Sequence, residues 1–120
     1  MGWPDEKRQY LRIGGFLDGQ CERPNGMGSY IMLMDFTRQG VRACLNNRVE
    51  AGETLSMEVW IPGSIIPVFA AGSVVWCRPA PREWTYQYDC GIRVTQISSE
   101  DCWRMLDFVY AQWCAEKKNA

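Results

Sequence analysis

The chain has 120 residues, of which 47% are hydrophobic and 22% charged, so it fits one globular domain with its own core. With 13 basic and 14 acidic residues its formal net charge is -1, which argues against a protein that coats long DNA or RNA but leaves room for a small anionic ligand. The sequence contains no apolar run of about 18 residues or more, and its N-terminus is polar, so we expect a cytoplasmic protein without a membrane span.

The residues that support common catalytic and metal chemistry are scarce. There are six cysteines, none in a CxxC pair, and no histidine, so no metal site is predicted and the thiols are expected to be reduced. Without histidine, Ser–His and Cys–His nucleophile pairs are impossible. The phosphate-binding loop GxxxxGK[ST] is also absent. We therefore expect a protein that is not an enzyme.

The charged composition of residues 1–13 predicts a flexible basic leader. After the glycines at 14 and 15, residues 14–120 are expected to form a folded domain. A first strand is expected to begin near Phe16. Runs rich in alternating or β-branched residues, bounded by Gly, Pro and Asn, predict strands over 29–36, 41–45, 54–61 and 65–77. Pro67 and Gly72 indicate a bulge or bend in the last of these. Trp84–Ile97 predicts either a final strand pair or one long bent strand.

The C-terminal segment has a different period. Ser98 and Ser99 precede two acidic residues, which is typical of a capped helix N-terminus. Apolar residues then recur at helical spacing, namely Cys102, Leu106, Val109 and Trp113, joined by Trp103 and Tyr110. We predict one helix from about Ser99 to about Glu116. About six short strands followed by one helix favour a barrel or a sandwich.

Two short motifs carry the functional hypothesis. The first is an RxxxR spacing formed by Arg8 and Arg12, with Lys7 in front. Guanidinium groups grip phosphates bidentately and also stack on bases or hydrogen-bond to guanine edges. Two arginines at this spacing are common in a solvated charged segment, so the motif alone is weak.

The second motif is a DxTxxG spacing formed by Asp35, Thr37 and Gly40, with Arg38 inside it. A carboxylate accepts hydrogen bonds from the N–H groups on a guanine's Watson–Crick edge, and a hydroxyl can donate or accept. Gly40 is free to take a positive φ, so it would permit a tight turn and close approach of a ligand to the backbone. By itself the pattern also fits ordinary turn chemistry.

Together the two motifs resemble the signature of PilZ domains, RxxxR followed by [D/N]xSxxG. Further similarities extend over nearly the whole chain: Val74-Val75-Trp76, Gly91-Ile92-Arg93-Val94, and the closing helix after Ser98-Ser99-Glu100. The sequence departs from the pattern at Thr37, where the family has serine. The hydroxyl is kept, but the added methyl group can crowd a guanine or weaken one of its hydrogen bonds.

The resemblance implies a mainly β fold, a six-stranded antiparallel β-barrel with a C-terminal α-helix, and cyclic di-GMP as the ligand on its outer surface. By position, Arg8 and Arg12 would hold phosphates and guanines, Asp35 and Thr37 would read a guanine, and Gly40 would make room. Lys7, Arg38 and Trp76 are secondary candidates. The alternative for Trp76 is a place in the core.

Two functions follow from the resemblance. In the first, the leader becomes ordered when cyclic di-GMP binds, and an unidentified downstream protein reads the new surface. In the second, the domain is a protein-interaction module that does not bind the nucleotide. The aromatic residues of the helix would then form the contact face, unless they are buried against the barrel.

Overall fold

The structure is a computed structural model that describes residues 17–37 and 40–119. Its elements, in chain order, are six strands and one helix: β1 (Leu17–Glu22), β2 (Gly28–Phe36), β3 (Gly40–Leu45), β4 (Thr54–Val59), β5 (Val68–Pro79), β6 (Tyr88–Ile97) and α1 (Ser99–Asn119). Predictions for residues 1–13, including Lys7, Arg8 and Arg12, and for Arg38 lie outside the described residues.

The six strands form one closed antiparallel barrel in the order β1-β2-β3-β6-β5-β4, and the pairing of β1 with β4 closes it. Closure leaves no unpaired sheet edge. The predicted six-stranded antiparallel barrel with a C-terminal helix is therefore confirmed.

The barrel interior is filled by alternate residues of each strand, as a period of two requires. In β4, for example, Leu55, Met57 and Val59 are buried while their neighbours Ser56 and Glu58 are more exposed. The same alternation in β3 places Val41 and Ala43 in the core. Arg42, which lies between them, therefore points to the outer surface of the barrel.

Three register shifts bend the sheet. The shift predicted near Gly72 is present between Ala71 and Gly72, and a second one in β5, between Val74 and Trp76, was not predicted. A third shift in β2 separates the pairing of Leu33 from that of Asp35. Bulges of this kind re-aim the side chains that follow them.

The segment before β6 differs in detail from the prediction. Strand β5 begins at Val68, after Pro67, and extends to Pro79. Trp84 belongs to a loop over residues 80–87, closed by a hydrogen bond of 2.8 Å from the Ala80 N–H to the Gln87 carbonyl. Of the two predicted arrangements for 84–97, the structure has one strand, which starts at Tyr88.

Helix α1 begins as predicted, because the Asp101 N–H donates to the Ser98 hydroxyl at 3.1 Å. Its most buried residue is Met105, while Leu106 and Val109 pack against the core less completely. Trp103 and Tyr110 are exposed, so their burial against the barrel is not observed. Within the described residues, no helix combines the length and apolar character needed to cross a membrane.

Candidate functional site

The predicted motif Asp35, Thr37 and Gly40 lies where β2 passes into β3, and we call these three residues the hairpin corner. The Thr37 N–H donates to the Gly40 carbonyl at 2.8 Å. The Gly40 N–H donates to the Thr37 hydroxyl at 3.1 Å, and that hydroxyl donates back to the Gly40 carbonyl at 3.3 Å. The hydroxyl that distinguishes Thr37 from an apolar residue thus closes the hairpin.

Gly40 is required for a reason other than the one predicted. It does not have a positive φ, unlike Gly26, Gly52 and Gly63. A Cβ at Gly40 would instead lie 2.7 Å from the Ile92 carbonyl oxygen on β6. The glycine lets β3 and β6 approach closely at the corner, and the freedom of Gly40 to take a positive φ is not used.

Asp35 stands at one end of a row of residues that runs across four neighbouring strands. Asp35 pairs with Arg42, Arg42 with Gly91, and Gly91 with Trp76. Directly paired residues point to the same face of a sheet, so this row lies on the outside of the barrel, as Arg42 does. Three strand spacings separate the row's ends, Asp35 and Trp76, by roughly 14 Å along the sheet.

Trp76 therefore belongs to the outer surface, and the alternative that placed it in the core is wrong. It is 36% exposed. Its indole lies close over Gly91, where an added Cβ would meet the indole nitrogen at 2.3 Å. Gly91 thus leaves the space in which the ring rests on β6.

A cluster of charges lies next to this row. Asp89 is only 1% exposed, yet it accepts hydrogen bonds from two arginines. Arg42 donates from Nε at 3.0 Å and from a terminal nitrogen at 2.8 Å. Arg78 donates from Nε at 3.2 Å and from a terminal nitrogen at 3.1 Å. We call Arg42, Trp76, Arg78, Asp89 and Gly91 the barrel wall.

The charge state of this cluster is fixed by its contacts. Burial raises the pKa of Asp89, but the hydrogen bonds and charge of Arg42, followed by those of Arg78, outweigh it and hold the pKa below the ordinary value for aspartate. The hydrogen bonds to Asp89 raise the pKa of Arg42, and the nearby charge of Asp35 adds to that effect. Asp89 and Arg42 are therefore both charged at neutral pH.

Two tryptophans cover the arginines of the wall. The Arg78 guanidinium carbon lies 4.7 Å from the centre of the Trp76 ring, and that of Arg42 lies 5.6 Å from the Trp84 ring. These are cation–π distances. Trp84 comes from the loop over residues 80–87, which folds back across the outer face of β3.

A cleft of about 580 Å³ opens beside the wall, beneath the same loop. Its lining combines sulfur-bearing and aromatic side chains with two carboxylates: Asp18, Met32, Met34, Cys44, Glu83, Trp84, Thr85 and Tyr86. The volume falls in the range of small-molecule sites. Burial raises the pKa of the Cys44 thiol to about 11, so this cysteine is a neutral part of the lining.

Sequence reasoning selected Asp35 and Trp76 but missed Arg42, Arg78 and Asp89. Asp89 lies 47 positions from Arg42 and 11 from Arg78, so no short motif joins them. The register of β3, β5 and β6 alone brings them together. Among residues 17–37 and 40–119, no group of three or more His, Cys, Asp or Glu side chains is placed to hold a metal ion.

A closed six-stranded antiparallel barrel with one C-terminal helix, and a DxTxxG spacing at the β2–β3 hairpin, together define a small β-barrel domain. The family model described as "PilZ domain" matches residues 6–111, which include the hairpin corner, the wall, and Arg8 and Arg12. The chain therefore belongs to the PilZ domain family.

Solved structures agree with this assignment at the level of the fold. The PilZ domain of YcgR from Escherichia coli, solved with c-di-GMP, superposes with a TM-score of 0.68 at 10% identity, covering 89% of this chain and 88% of that one. The Bacillus subtilis inhibitor of motility, MotI/DgrA, gives 0.65 at 13% identity and covers 83% of this chain. This chain spans 47% of the MotI/DgrA chain. No curated protein matches the sequence significantly.

Proposed function

We propose that this protein is a receptor for cyclic di-GMP that binds its ligand on the outside of the barrel, between the hairpin corner and the barrel wall. The observation that carries the proposal is the single outward-facing row formed by Asp35, Arg42, Gly91 and Trp76. It joins the family motif to an aromatic side chain on one surface. The YcgR domain, which shares this fold, was solved with the same ligand.

The two ends of the row suit a guanine in different ways. Asp35 offers carboxylate oxygens to the N–H donors of a Watson–Crick edge, next to the Thr37 hydroxyl. Trp76 offers part of an indole, and stacking of a base on an aromatic ring is favourable for any base. Gly91 has no side chain, so the indole can lie close against β6 and present its outer part to a ligand.

The charges of the described site favour a role for the leader. Arg42 and Arg78 are matched by Asp35 and Asp89, so this part of the surface is close to neutral. A ligand with two phosphates needs further cations, and we infer that Arg8 and Arg12 supply them, with Lys7 and Arg38 as secondary contacts. A leader that closes over the ligand would also give binding a conformational output.

The output we propose is a changed surface that a downstream protein reads in the cytoplasm. We infer no catalytic role, because PilZ domains bind ligands as adaptors, and no role in binding DNA or RNA polymers. The division into a leader, residues 1–13, and a barrel domain, residues 14–120, remains part of this proposal.

Titration calorimetry with cyclic di-GMP tests the ligand assignment. We expect Arg8→Ala, Arg12→Ala and Asp35→Ala each to weaken binding by tenfold or more, because each removes a charged hydrogen bond of about 1.5–3 kcal/mol. Arg48→Ala is the matched control, since Arg48 is 67% exposed and pairs only weakly with Glu50. If both arginine variants of the leader kept the wild-type affinity, the leader assignment would be wrong.

Hydrogen exchange tests the conformational part separately. Saturating cyclic di-GMP is expected to slow amide exchange within residues 1–13, with little change in β4, which lies away from the row. Unchanged exchange in the leader, at ligand concentrations that fill the site by calorimetry, would leave a receptor without the proposed switch.

A second candidate, an interaction module that does not bind the nucleotide, is favoured by one surface. The loop before β5 presents Ile65 and Ile66, which are 96% and 67% exposed. Arg104 of α1 holds this loop by donating to the Ser64 hydroxyl at 2.7 Å and to the carbonyls of Ile66 and Pro67. A rigid loop with exposed apolar side chains is typical of a protein contact.

Thermal unfolding separates the two candidates. A ligand at one hundred times its Kd raises the unfolding free energy by about 2.7 kcal/mol, which shifts the melting temperature by several degrees. We expect this shift with cyclic di-GMP and none with GMP. Absence of any shift, together with a flat calorimetric titration, would favour the interaction module.

A further inference from the structure

Arg78 is held in one orientation although it is largely exposed. Its side chain is 62% exposed. Its Nε and one terminal nitrogen donate to the buried Asp89 carboxylate, and its guanidinium covers the Trp76 ring at 4.7 Å. Two independent contacts, one charged and one aromatic, thus fix a surface arginine that would otherwise sample many rotamers.

The fixed orientation leaves one edge of Arg78 directed away from Asp89. A guanidinium has five N–H donors in a planar fork. Asp89 takes the edge formed by Nε and one terminal nitrogen, so the edge formed by the two terminal nitrogens faces away from the carboxylate. That edge matches an acceptor pair such as O6 and N7 of guanine.

We propose that Arg78 and Trp76 form a second guanine-recognition position, and that Asp89 is the positioning residue that aims Arg78. This inference rests on the proposed function and adds to it a specificity determinant at the opposite end of the row from Asp35. One guanine is read at the hairpin corner through its Watson–Crick donors. The other is read at the wall through its O6 and N7 acceptors, beside the indole.

A guanine fits this position better than a phosphate does. Both offer acceptors to an arginine fork, but only a base also gains from apolar contact with the part of the Trp76 indole that stays exposed. Adenine fits poorly, because it carries an amino donor where guanine carries O6. The wall should therefore contribute selectivity for guanine as well as affinity.

The test compares cyclic di-GMP with the mixed cyclic dinucleotide of GMP and AMP, by calorimetry or competition. The mixed ligand can place its guanine at the hairpin corner and its adenine at the wall. The wild type is expected to prefer cyclic di-GMP by about tenfold or more. Arg78→Ala should raise the Kd for cyclic di-GMP by about tenfold and leave the mixed ligand nearly unchanged, so that the preference disappears.

Two further variants separate the roles. Arg78→Lys keeps the charge but loses the planar fork, so it should lose the preference as Arg78→Ala does. Asp89→Asn should reduce the preference although Arg78 is present, a result that a purely structural role would not produce. Arg48→Ala is the control for a lost surface cation, because Arg48 is 67% exposed and Arg78 is 62% exposed.

The outcomes distinguish this inference from the function on which it rests. If the wild type does not bind cyclic di-GMP, both are overturned. If it binds but does not distinguish the two ligands, or if Arg78→Ala keeps both Kd values, only the second guanine position is wrong. If Arg78→Lys kept the wild-type preference for cyclic di-GMP, Arg78 would be a phosphate contact and the second guanine position would also be wrong. Should Asp89→Asn unfold, the exposed Arg78 variants still decide the question.

Discussion

The hairpin corner takes its three residues from positions 35–40, whereas the barrel wall collects its residues from β3, β5 and β6. The corner is held by hydrogen bonds within one short hairpin, between Gly40 and the backbone and hydroxyl of Thr37. The wall is held by a buried carboxylate shared between two arginines from different strands. The corner thus depends on local chain geometry, and the wall depends on the barrel being correctly closed.

This difference predicts that the fold is most sensitive to loss of the one carboxylate that the two wall arginines share. Asp89→Ala should lower the free energy of unfolding by about 3 kcal/mol, because it leaves the half-buried Arg42 without its bidentate partner. Urea unfolding measures the loss. Glu50→Ala, which removes an exposed pair with Arg48 at 3.4 Å, is the control and should change stability by less than about 1 kcal/mol. If Asp89→Ala and Glu50→Ala lowered the free energy of unfolding equally, the shared carboxylate would have no special role in stability.

A pair of glycine substitutions compares the corner and the wall directly. Gly40→Ala forces a Cβ against the Ile92 carbonyl on β6, and backbone cannot move aside cheaply, so we expect a loss of about 2 kcal/mol. Gly91→Ala meets the Trp76 indole instead, which can swing towards solvent, so stability should fall by less.

The Gly91→Ala variant can also be followed by tryptophan fluorescence. Displacement of the indole by Gly91→Ala should change the tryptophan fluorescence, and the change should vanish when Trp76→Phe is added. If Gly91→Ala destabilised the protein more than Gly40→Ala, the indole would be anchored more firmly than its exposure indicates.

The contrast between the local corner and the wall assembled from three strands also explains which features could be predicted from the sequence. Strand alternation, turn residues and the Ser98 cap are local signals, so the six strands, the helix and the Asp35–Thr37–Gly40 motif were predictable. The pairing of Asp89 with Arg42 and Arg78 arises from registers that depend on two bulges in β5. No residue at those positions reveals the shift between Val74 and Trp76. The exposure of Trp76 and Trp103 likewise depends on packing partners that are distant in sequence.

A smaller effect is expected from Thr37, where the family has serine. Thr37→Val removes the hydroxyl that accepts from the Gly40 N–H at 3.1 Å, so it should cost about 1 kcal/mol of stability and should weaken ligand binding at the corner. Thr37→Ser keeps the hydroxyl and should retain the stability. Calorimetry of the serine variant shows whether the methyl group hinders the ligand, which would appear as tighter binding than in the wild type.

The smallest effect concerns acid. Because Arg42 and Arg78 hold the pKa of Asp89 below its ordinary value, the folded state binds this proton less readily than the unfolded chain does. The stabilisation from Asp89 is therefore complete above the unfolded pKa of about 3.9 and is lost as the pH falls towards the folded pKa. Glu53, whose pKa is lowered by its hydrogen bonds to Arg23, titrates in the same direction, so the wild type alone would mix the two contributions.

Comparison with Asp89→Asn isolates the wall from that background. The asparagine variant keeps the Glu53 contribution but has no carboxylate at the wall. The difference in unfolding free energy between wild type and variant should be constant near neutral pH and should narrow on acidification from pH of about 5 to about 3. A difference that stayed constant over this range would mean that Asp89 titrates with an ordinary pKa and that its two arginines do not stabilise its charge in the folded protein.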